Sequence, residues 1–226
     1  MYSTVADVMS TDLVVATRST PYKELIRRMR ERRVNALPVV DPNGRLIGIV
    51  TDTDLALKQE YRPVGQAPVL EEPQQRRQQY KATATLAEEC MSEPVAVVGP
   101  DVTIPSAARL LHREGVHHLP VVDTDGRLIG IVTRRDLLGV FLTPDGEIRA
   151  KIRTGVLDVT LDVSEGDVDV QVHEGVVTLT GKVQRRSLAQ EIVRLTNAVD
   201  GVVAVVDRLG YRRDDTVPTW PSRQRS

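Results

Sequence analysis

Apolar residues recur with two different periods in the first half of the chain. Residues 13–16 (LVVA) and 95–98 (VAVV) form short apolar runs rich in valine, which are typical of strands. Leu25, Ile26 and Met29 follow the first run at helical spacing. After the second run the same spacing returns in Ala107, Ala108, Leu110 and Leu111. The pattern predicts, twice, a strand followed by an amphipathic helix.

A turn flanked by apolar runs follows each predicted helix. The turns are residues 41–44 (DPNG) and 123–126 (DTDG), and both fit a β-hairpin. Thr51 and Thr133 then stand where their hydroxyls can cap the N-terminus of a further helix. Each region is therefore predicted to fold as a β-α-β-β-α unit.

The two regions are copies of one another. Residues 37–55 (LPVVDPNGRLIGIVTDTDL) and 119–137 (LPVVDTDGRLIGIVTRRDL) align at an offset of 82 residues, with 15 of 19 positions identical and no gap. The match extends back to the dipeptides Met9-Ser10 and Met91-Ser92. A solenoid would need three or more repeats, so two copies indicate a pseudo-symmetric pair.

A seven-residue motif, Gly-apolar-x-Thr-x-x-Asp, ends each copy. It stands as residues 48–54 (GIVTDTD) and 130–136 (GIVTRRD). With the Met-Ser dipeptides and the Pro-Val strands, residues 1–140 resemble a tandem pair of cystathionine-β-synthase (CBS) domains, called a Bateman module. The resemblance implies an adenosyl ligand whose ribose hydroxyls bond the Asp, with the Thr and the residue before the Asp near phosphate. It also implies a homodimer through the CBS pair.

Candidate nucleotide-binding residues follow from the resemblance in both copies. They are Pro38, Thr51, Thr53 and Asp54 in the first, and His117, His118, Pro120, Thr133, Arg134, Arg135 and Asp136 in the second. The second copy carries two Arg where the first has Asp52 and Thr53, so it is expected to attract an anion that Asp52 would repel. The expected ligand is AMP, ADP, ATP or S-adenosylmethionine, acting as a regulator and not as a required cofactor. In the alternative interpretation these residues bind no ligand. Both Thr are then simple N-caps, both Asp are acids of the first helical turn, and the two Arg belong to a solvated helix start.

Composition narrows the classes of function. The chain has 226 residues with 30 basic and 31 acidic side chains, a net charge of −1, so no nucleic-acid partner is expected. The single cysteine, Cys90, excludes a disulfide framework and is predicted to be a small buried hydrophobe.

No Cys or acidic ligand is spaced with the histidines 112, 117 and 118, so no metal site is expected. We also find no nucleophile with a base, so the protein is not expected to be an enzyme.

The last third of the chain has no counterpart in the repeat. Its apolar pattern predicts the order α-β-β-α-β, with a turn at Glu174-Gly175 and a helix-to-strand stop at Gly201. Residues 175–181 (GVVTLTG) and 199–202 (VDGV) resemble a BON domain, a family named for bacterial osmotic-stress and nodulation proteins. The resemblance implies that this domain has no catalytic residues. It also implies that the domain contacts phospholipid or a protein partner. Residues 182–186 contain a small basic cluster that could make such a contact, and the same cluster is consistent with an ordinary solvated loop.

The fold class predicted is α/β, or α+β: a pseudo-symmetric CBS pair followed by a small BON domain. The predicted domains are a first CBS domain at 1–58, a polar linker at 59–85, a second CBS domain at 86–142, a BON domain at 145–211 and a disordered tail at 212–226. The predicted function is a regulatory sensor, bacterial and linked to stress, that relays an adenosyl signal to membrane or partner. A structural adaptor whose CBS pair only dimerises is the alternative. The start of the chain lacks a secretory signal, so a cytoplasmic location is expected, or peripheral attachment at the inner membrane face.

Overall fold

A computed structural model describes residues 3–60, 78, 81–161, 163–164 and 166–216. Contacts divide these residues into two compact units. The first unit runs from Thr4 to Leu137, and the second contains Ser3 and the described residues from Leu138 onward. The repeat therefore lies in the first unit, and the predicted BON domain lies in the second.

The first unit builds the same elements twice. The first copy contains α1 (Val5–Val8), α2 (Tyr22–Arg32), β1 (Ala36–Val40), β2 (Leu46–Thr51) and α3 (Asp52–Glu60). The second copy contains α4 (Ala87–Cys90), α5 (Ile104–Arg113), β3 (His118–Val122), β4 (Leu128–Thr133) and α6 (Arg134–Leu138). Strands β1 and β2 pair antiparallel, as do β3 and β4, in equivalent registers. The predicted fold class is confirmed.

Two details of the predicted unit differ from the structure. The first strand of each copy is reduced to one parallel bridge, from Ala16 to Val39 and from Val98 to Val121. The short helices α1 and α4 were not predicted, because four residues are too few to show a helical period. The helical spacing itself is confirmed, since Leu25, Met29, Ala107 and Leu111 are buried.

The two copies exchange their Met-Ser segments, Met9-Ser10 and Met91-Ser92. Ser10 bridges to Ile131 of β4, with its N–H 2.9 Å from the Ile131 oxygen. Ser92 bridges in the same way to Ile49 of β2, at 2.8 Å. Each segment therefore extends the hairpin of the other copy.

The glycine that opens each motif makes room for this exchange. A Cβ atom on Gly130 would lie 2.5 Å from Met9 Sδ, and one on Gly48 would lie 2.6 Å from Met91 Sδ. Any larger residue would push against the methionine of the other copy. The motif glycine and the distant Met-Ser dipeptide are thus two halves of one contact.

The second unit packs helices against a three-stranded sheet. A 3-10 turn (Gly139–Leu142) precedes α7 (Asp145–Lys151), a π-helical segment (Ile152–Thr160), β5 (Val168–His173), β6 (Val176–Arg185), α8 (Arg186–Thr196) and β7 (Ala204–Arg213). The sheet order is β5-β6-β7, with β5 antiparallel and β7 parallel to β6. Its core includes Ile148, Ile152, Leu179 and Ile192. The order α-β-β-α-β is as predicted, and positive φ angles at Glu174, Gly175 and Gly201 fit the predicted turn and stop.

Two predicted boundaries need correction. Residues 212–215, assigned to the predicted tail, are ordered, because β7 continues to Arg213 and the next two residues are hydrogen-bonded. Asp214 pairs with Arg186 at 2.8 Å, and Asp215 accepts the N–H of Ser187 at 3.0 Å. Residues 217–226 lie outside the described residues, as do residues 61–77 and 79–80 of the predicted linker. Residues 59 and 60, assigned to the predicted linker, belong to α3, which continues to Glu60.

Candidate functional site

Each motif forms a reciprocal cap between its Thr and its Asp. Thr51 donates its N–H (2.9 Å) and its hydroxyl (2.7 Å) to Asp54 Oδ2, and the Asp54 N–H lies 3.3 Å from Thr51 Oγ1. Thr133 and Asp136 repeat these contacts at 2.8, 2.7 and 3.3 Å. Thr51 and Thr133 therefore both act as N-caps, which is compatible with either interpretation of the motif. The cap uses only one oxygen of each carboxylate, so Oδ1 is left for another partner.

A cleft of about 620 Å³ lies between the two copies of the first unit. Residues of both copies line it: Ser10, Asp12, Leu13, Val14, Arg33, Val34, Asn35, Ala36, Pro38, Asp52 and Thr53 from the first, and His117, His118, Ile131, Thr133, Arg134, Arg135 and Asp136 from the second. Asp52, expected at a separate first-copy site, thus shares a cleft with both second-copy arginines. The exchange of Met-Ser segments contributes to this mixed lining, because it brings Ser10 beside β4.

Three predicted site residues do not line this cleft. Thr51 and Asp54 belong to the first-copy cap, and Asp54 lines a smaller cleft of about 320 Å³. Pro120 is buried within β3, where its carbonyl accepts the Val98 N–H at 3.1 Å. Pro38 lines the large cleft through β1, and its carbonyl accepts the Ala16 N–H at 2.9 Å.

Charge in the large cleft is unevenly compensated. Of the three carboxylates, Asp12 is already paired with Arg32, whose Nη2 lies 2.7 Å from both of its oxygens. Within the described residues, Asp136 Oδ1 has no hydrogen-bond partner. Arg134 donates one hydrogen bond, from Nη2 to the Val116 carbonyl at 3.2 Å. Arg134 and Arg135 are both exposed. The cleft therefore offers an open carboxylate oxygen and guanidinium groups to one ligand.

The pKa of His118, which lines the cleft, is shifted from its ordinary value. Burial lowers the pKa of His118, and the neighbouring His117 lowers it further. Asp52 and Asp136 act in the opposite direction, because their charges favour the imidazolium. An anion bound nearby would add to that opposing effect.

Arg33 lines the cleft but was missed by the sequence interpretation. It is the C-cap of α2 and has φ 52°, a left-handed conformation that costs a bulky residue about 1–2 kcal/mol. The equivalent residue of the second copy is Gly115, with φ 64°. An arginine in place of glycine at a helix end was a signal available in the repeat alignment. Ser10 was visible in the same alignment, but only the exchange of segments brings it to the cleft.

The first-copy acid lies in different surroundings. Asp54 is 8% exposed, and Lys81 Nζ lies 2.5 Å from its Oδ1. Ser92 Oγ lies 3.3 Å from the same oxygen and 2.8 Å from Lys81 Nζ. Both oxygens of Asp54 are therefore engaged within the protein.

The remaining candidate chemistry is sparse. Cys90 is fully buried as predicted, and burial raises the pKa of its thiol to about 11. Across the described ranges, no three His, Cys, Asp or Glu side chains are grouped so as to hold a metal ion. No helix in the described part of the chain has both the length and the apolar content to cross a bilayer. In the basic cluster of the second unit, Arg186 is paired with Asp214 and stacks against the Tyr211 ring.

The repeat matches a known family of domains. A model of the CBS domain matches residues 5–72 and 87–143, and a model of the BON domain matches residues 144–213. The chain belongs to the CBS-domain family, with two CBS domains in tandem and a C-terminal BON domain.

The related proteins match only part of this chain. A CBS domain-containing protein of Dictyostelium discoideum is 32% identical over 138 residues, which cover 61% of this chain and 90% of that protein. An uncharacterized protein of Methanopyrus kandleri is 31% identical over 136 residues, which cover 60% of this chain and 61% of that protein. This chain thus spans about three fifths of the Methanopyrus protein.

Solved structures show the same fold. The crystal structure of CBSX2 of Arabidopsis thaliana in complex with AMP has a TM-score of 0.55 and 31% identity, covering 62% of this chain and 97% of that chain. The CBS domain pair of protein MJ0100, in complex with 5′-methylthioadenosine and S-adenosyl-L-methionine, has a TM-score of 0.51 and 24% identity, with the same coverage. The second likeness shows the fold alone.

Proposed function

We propose that the large cleft binds an adenine nucleotide, and that the protein is a non-catalytic regulator that responds to it. The observation that carries the proposal is Asp136, whose Oδ1 is open in the same cleft as Arg134 and Arg135. A carboxylate oxygen accepts hydrogen bonds from the ribose hydroxyls, and guanidinium groups bind phosphate. Both groups fit one ligand of nucleotide size, since the cleft measures about 620 Å³.

Charge disfavours S-adenosylmethionine, and likeness to a solved structure favours AMP among the three nucleotides. The cleft holds three arginines, Arg33, Arg134 and Arg135, against two carboxylates without an arginine partner, Asp52 and Asp136. A small positive excess suits a monophosphate better than a cationic sulfonium ligand. CBSX2, which is 31% identical, was crystallised with AMP.

The experiment is a titration of the full chain with AMP by isothermal calorimetry, alongside thermal melts with all four ligands. At 100 times its Kd the ligand stabilises the fold by about 2.7 kcal/mol, which raises the melting temperature by about 5–10 °C. Asp136→Asn keeps an oxygen for the Thr133 cap but replaces the open acceptor with a donor. It should weaken AMP binding at least tenfold.

Asp54→Asn is the matched control, because it makes the same change at the equivalent residue outside the cleft. Its melting temperature should fall, since Lys81 loses a charged partner, while AMP affinity should stay within twofold of the wild type. Equal affinity for AMP in the wild type and Asp136→Asn would overturn the proposed site. Absence of binding by all four ligands would favour the structural adaptor.

The proposal includes the parts that the second unit and a partner subunit would play. The BON domain is proposed to pass the ligand signal to a phospholipid surface or a protein partner. The homodimer through the CBS pair stays a prediction. Leu25, Met29 and Leu111 are buried within this single chain, so these side chains offer no exposed apolar surface to a partner subunit.

A further inference from the structure

The two CBS copies provide two equivalent carboxylates, and one of them is already occupied. Asp54 and Asp136 hold the same position in the motif and make the same cap with the preceding Thr. Asp136 keeps its Oδ1 open, whereas Asp54 Oδ1 receives Lys81 Nζ at 2.5 Å. The difference therefore lies in Lys81 and not in the scaffold.

The contact is well enclosed and specific. The side chains of Lys81 and Asp54 are 18% and 11% exposed, and Ser92 Oγ lies within hydrogen-bond distance of both. Ser92 belongs to the Met-Ser segment of the second copy, as Ser10 of the first copy does at the large cleft. Lys81 thus takes a place beside Asp54 that is open beside Asp136.

We propose that Lys81 is a built-in occupant of the first-copy site, which restricts each chain to one nucleotide. The inference rests on the proposed function, because it assumes that Asp136 and its cleft bind AMP. A ligand at Asp54 would have to displace Lys81 and leave an enclosed ammonium group without its carboxylate partner. The lysine is held by the chain itself, so it competes at a high effective concentration.

The charges that line the small cleft determine which ligand would bind there if Lys81 were removed. Its lining includes Thr53, Asp54, Lys81 and Glu93, with Lys81 as the cation. Glu93 pairs loosely with Arg18 at 3.6 Å, and both side chains are about half exposed. Without Lys81 the described lining carries two carboxylates and no cation, so it should accept uncharged adenosine and reject AMP.

The experiment counts ligands bound to the full chain by calorimetry and equilibrium dialysis. Wild type should bind one AMP per chain. Lys81→Ala should still bind one AMP and should take up one additional adenosine, with at least tenfold higher affinity for adenosine than for AMP at the new site. Lys58→Ala is the matched control, because Lys58 lies over the Tyr22 ring and donates to the Ala84 carbonyl without contacting Asp54.

The outcomes separate this inference from the proposed function. Two AMP bound to the wild type, or no adenosine gained by Lys81→Ala, would overturn the role of Lys81. A wild type that binds no AMP, together with a Lys81→Ala variant that gains adenosine, would overturn the large cleft and keep the role of Lys81. If Lys81→Ala fails to fold, Lys81→Met preserves the apolar stem and must give the same adenosine site. The wild-type count tests the inference without any variant.

Discussion

Replacing Gly130 by alanine tests whether the exchanged methionine shapes the cleft. The added Cβ would lie 2.5 Å from Met9 Sδ and 3.1 Å from Met9 Cγ. Carbon and sulfur atoms in contact lie at least about 3.5 Å apart, so Met9 must move by about 1 Å. Ser10 follows Met9 directly, and it forms a bridge to Ile131 and lines the cleft. The substitution should therefore disturb both stability and binding.

The energetic cost follows from how far each methionine can retreat. Overpacking costs about 1–3 kcal/mol, and a flexible thioether places Gly130→Ala near the lower end. Met91 is 8% exposed, whereas Met9 is only half-buried, so Gly48→Ala should cost more than Gly130→Ala. Met9→Ala removes the obstructing atoms and should reduce the penalty of Gly130→Ala by about 1 kcal/mol or more.

Chemical denaturation of the two single variants and the double variant measures this coupling as a double-mutant cycle. Gly99→Ala is the control, because no atom lies within 4 Å of its added Cβ. Calorimetry should show AMP affinity several-fold lower in Gly130→Ala and partly restored in the double variant. Additive unfolding free energies would refute the contact as the cause, even if both single variants are destabilised.

Two further predictions concern the cleft histidine and the BON sheet. Burial lowers the pKa of His118, so the neutral imidazole contributes to folding stability, and this contribution is fully present above the ordinary pKa of 6.5. The contribution is lost as the pH falls through the folded-state pKa of His118. A bound phosphate should oppose that loss, because it favours the imidazolium. Calorimetry in buffers of different ionisation enthalpy should then show proton uptake with AMP near pH 6 that His118→Gln reduces and His112→Gln leaves unchanged. In the second unit, Gly181→Ala should cost about 3 kcal/mol or more, because φ is 138° and the new Cβ would clash with the Asp167 carbonyl. Gly146→Ala in α7 meets no atom within 4 Å and should stabilise by about 0.5 kcal/mol, and thermal melts that rank the two variants otherwise would contradict this reasoning.

Local patterns in the sequence were sufficient for the order of the longer helices and the hairpins. Helical spacing identified α2 and α5, and the turn residues identified both hairpins, because each signal lies within a few neighbouring residues. The π-helical continuation after Lys151 was not predicted, since hydrophobic spacing does not distinguish a π-helix from an α-helix over a short segment. The tail was placed from residue 212, before the end of β7 at Arg213, because the polar residues there have no alternating apolar pattern.

The candidate site was only partly accessible from the sequence. The motif residues Thr133 and Asp136 were found because the repeat makes them visible. The lining by Leu13 and Val14 depends on contacts between residues more than 100 positions apart, which no local pattern encodes. Lys81 lay in a stretch interpreted as a polar linker, so its pairing with Asp54 could be seen only in three dimensions.

The exchange of Met-Ser segments has a consequence for how the two sites can diverge. Each cleft combines the motif of one copy with the Met-Ser segment of the other, so a motif residue can line one cleft without lining the other. Arg134 and Arg135 do so, because they line the large cleft and not the small one. Lys81 lies outside the repeat and lines the small cleft. Its ion pair with Asp54 occupies the oxygen that the equivalent Asp136 leaves open, so motif residues and a residue outside the repeat both make the two clefts differ.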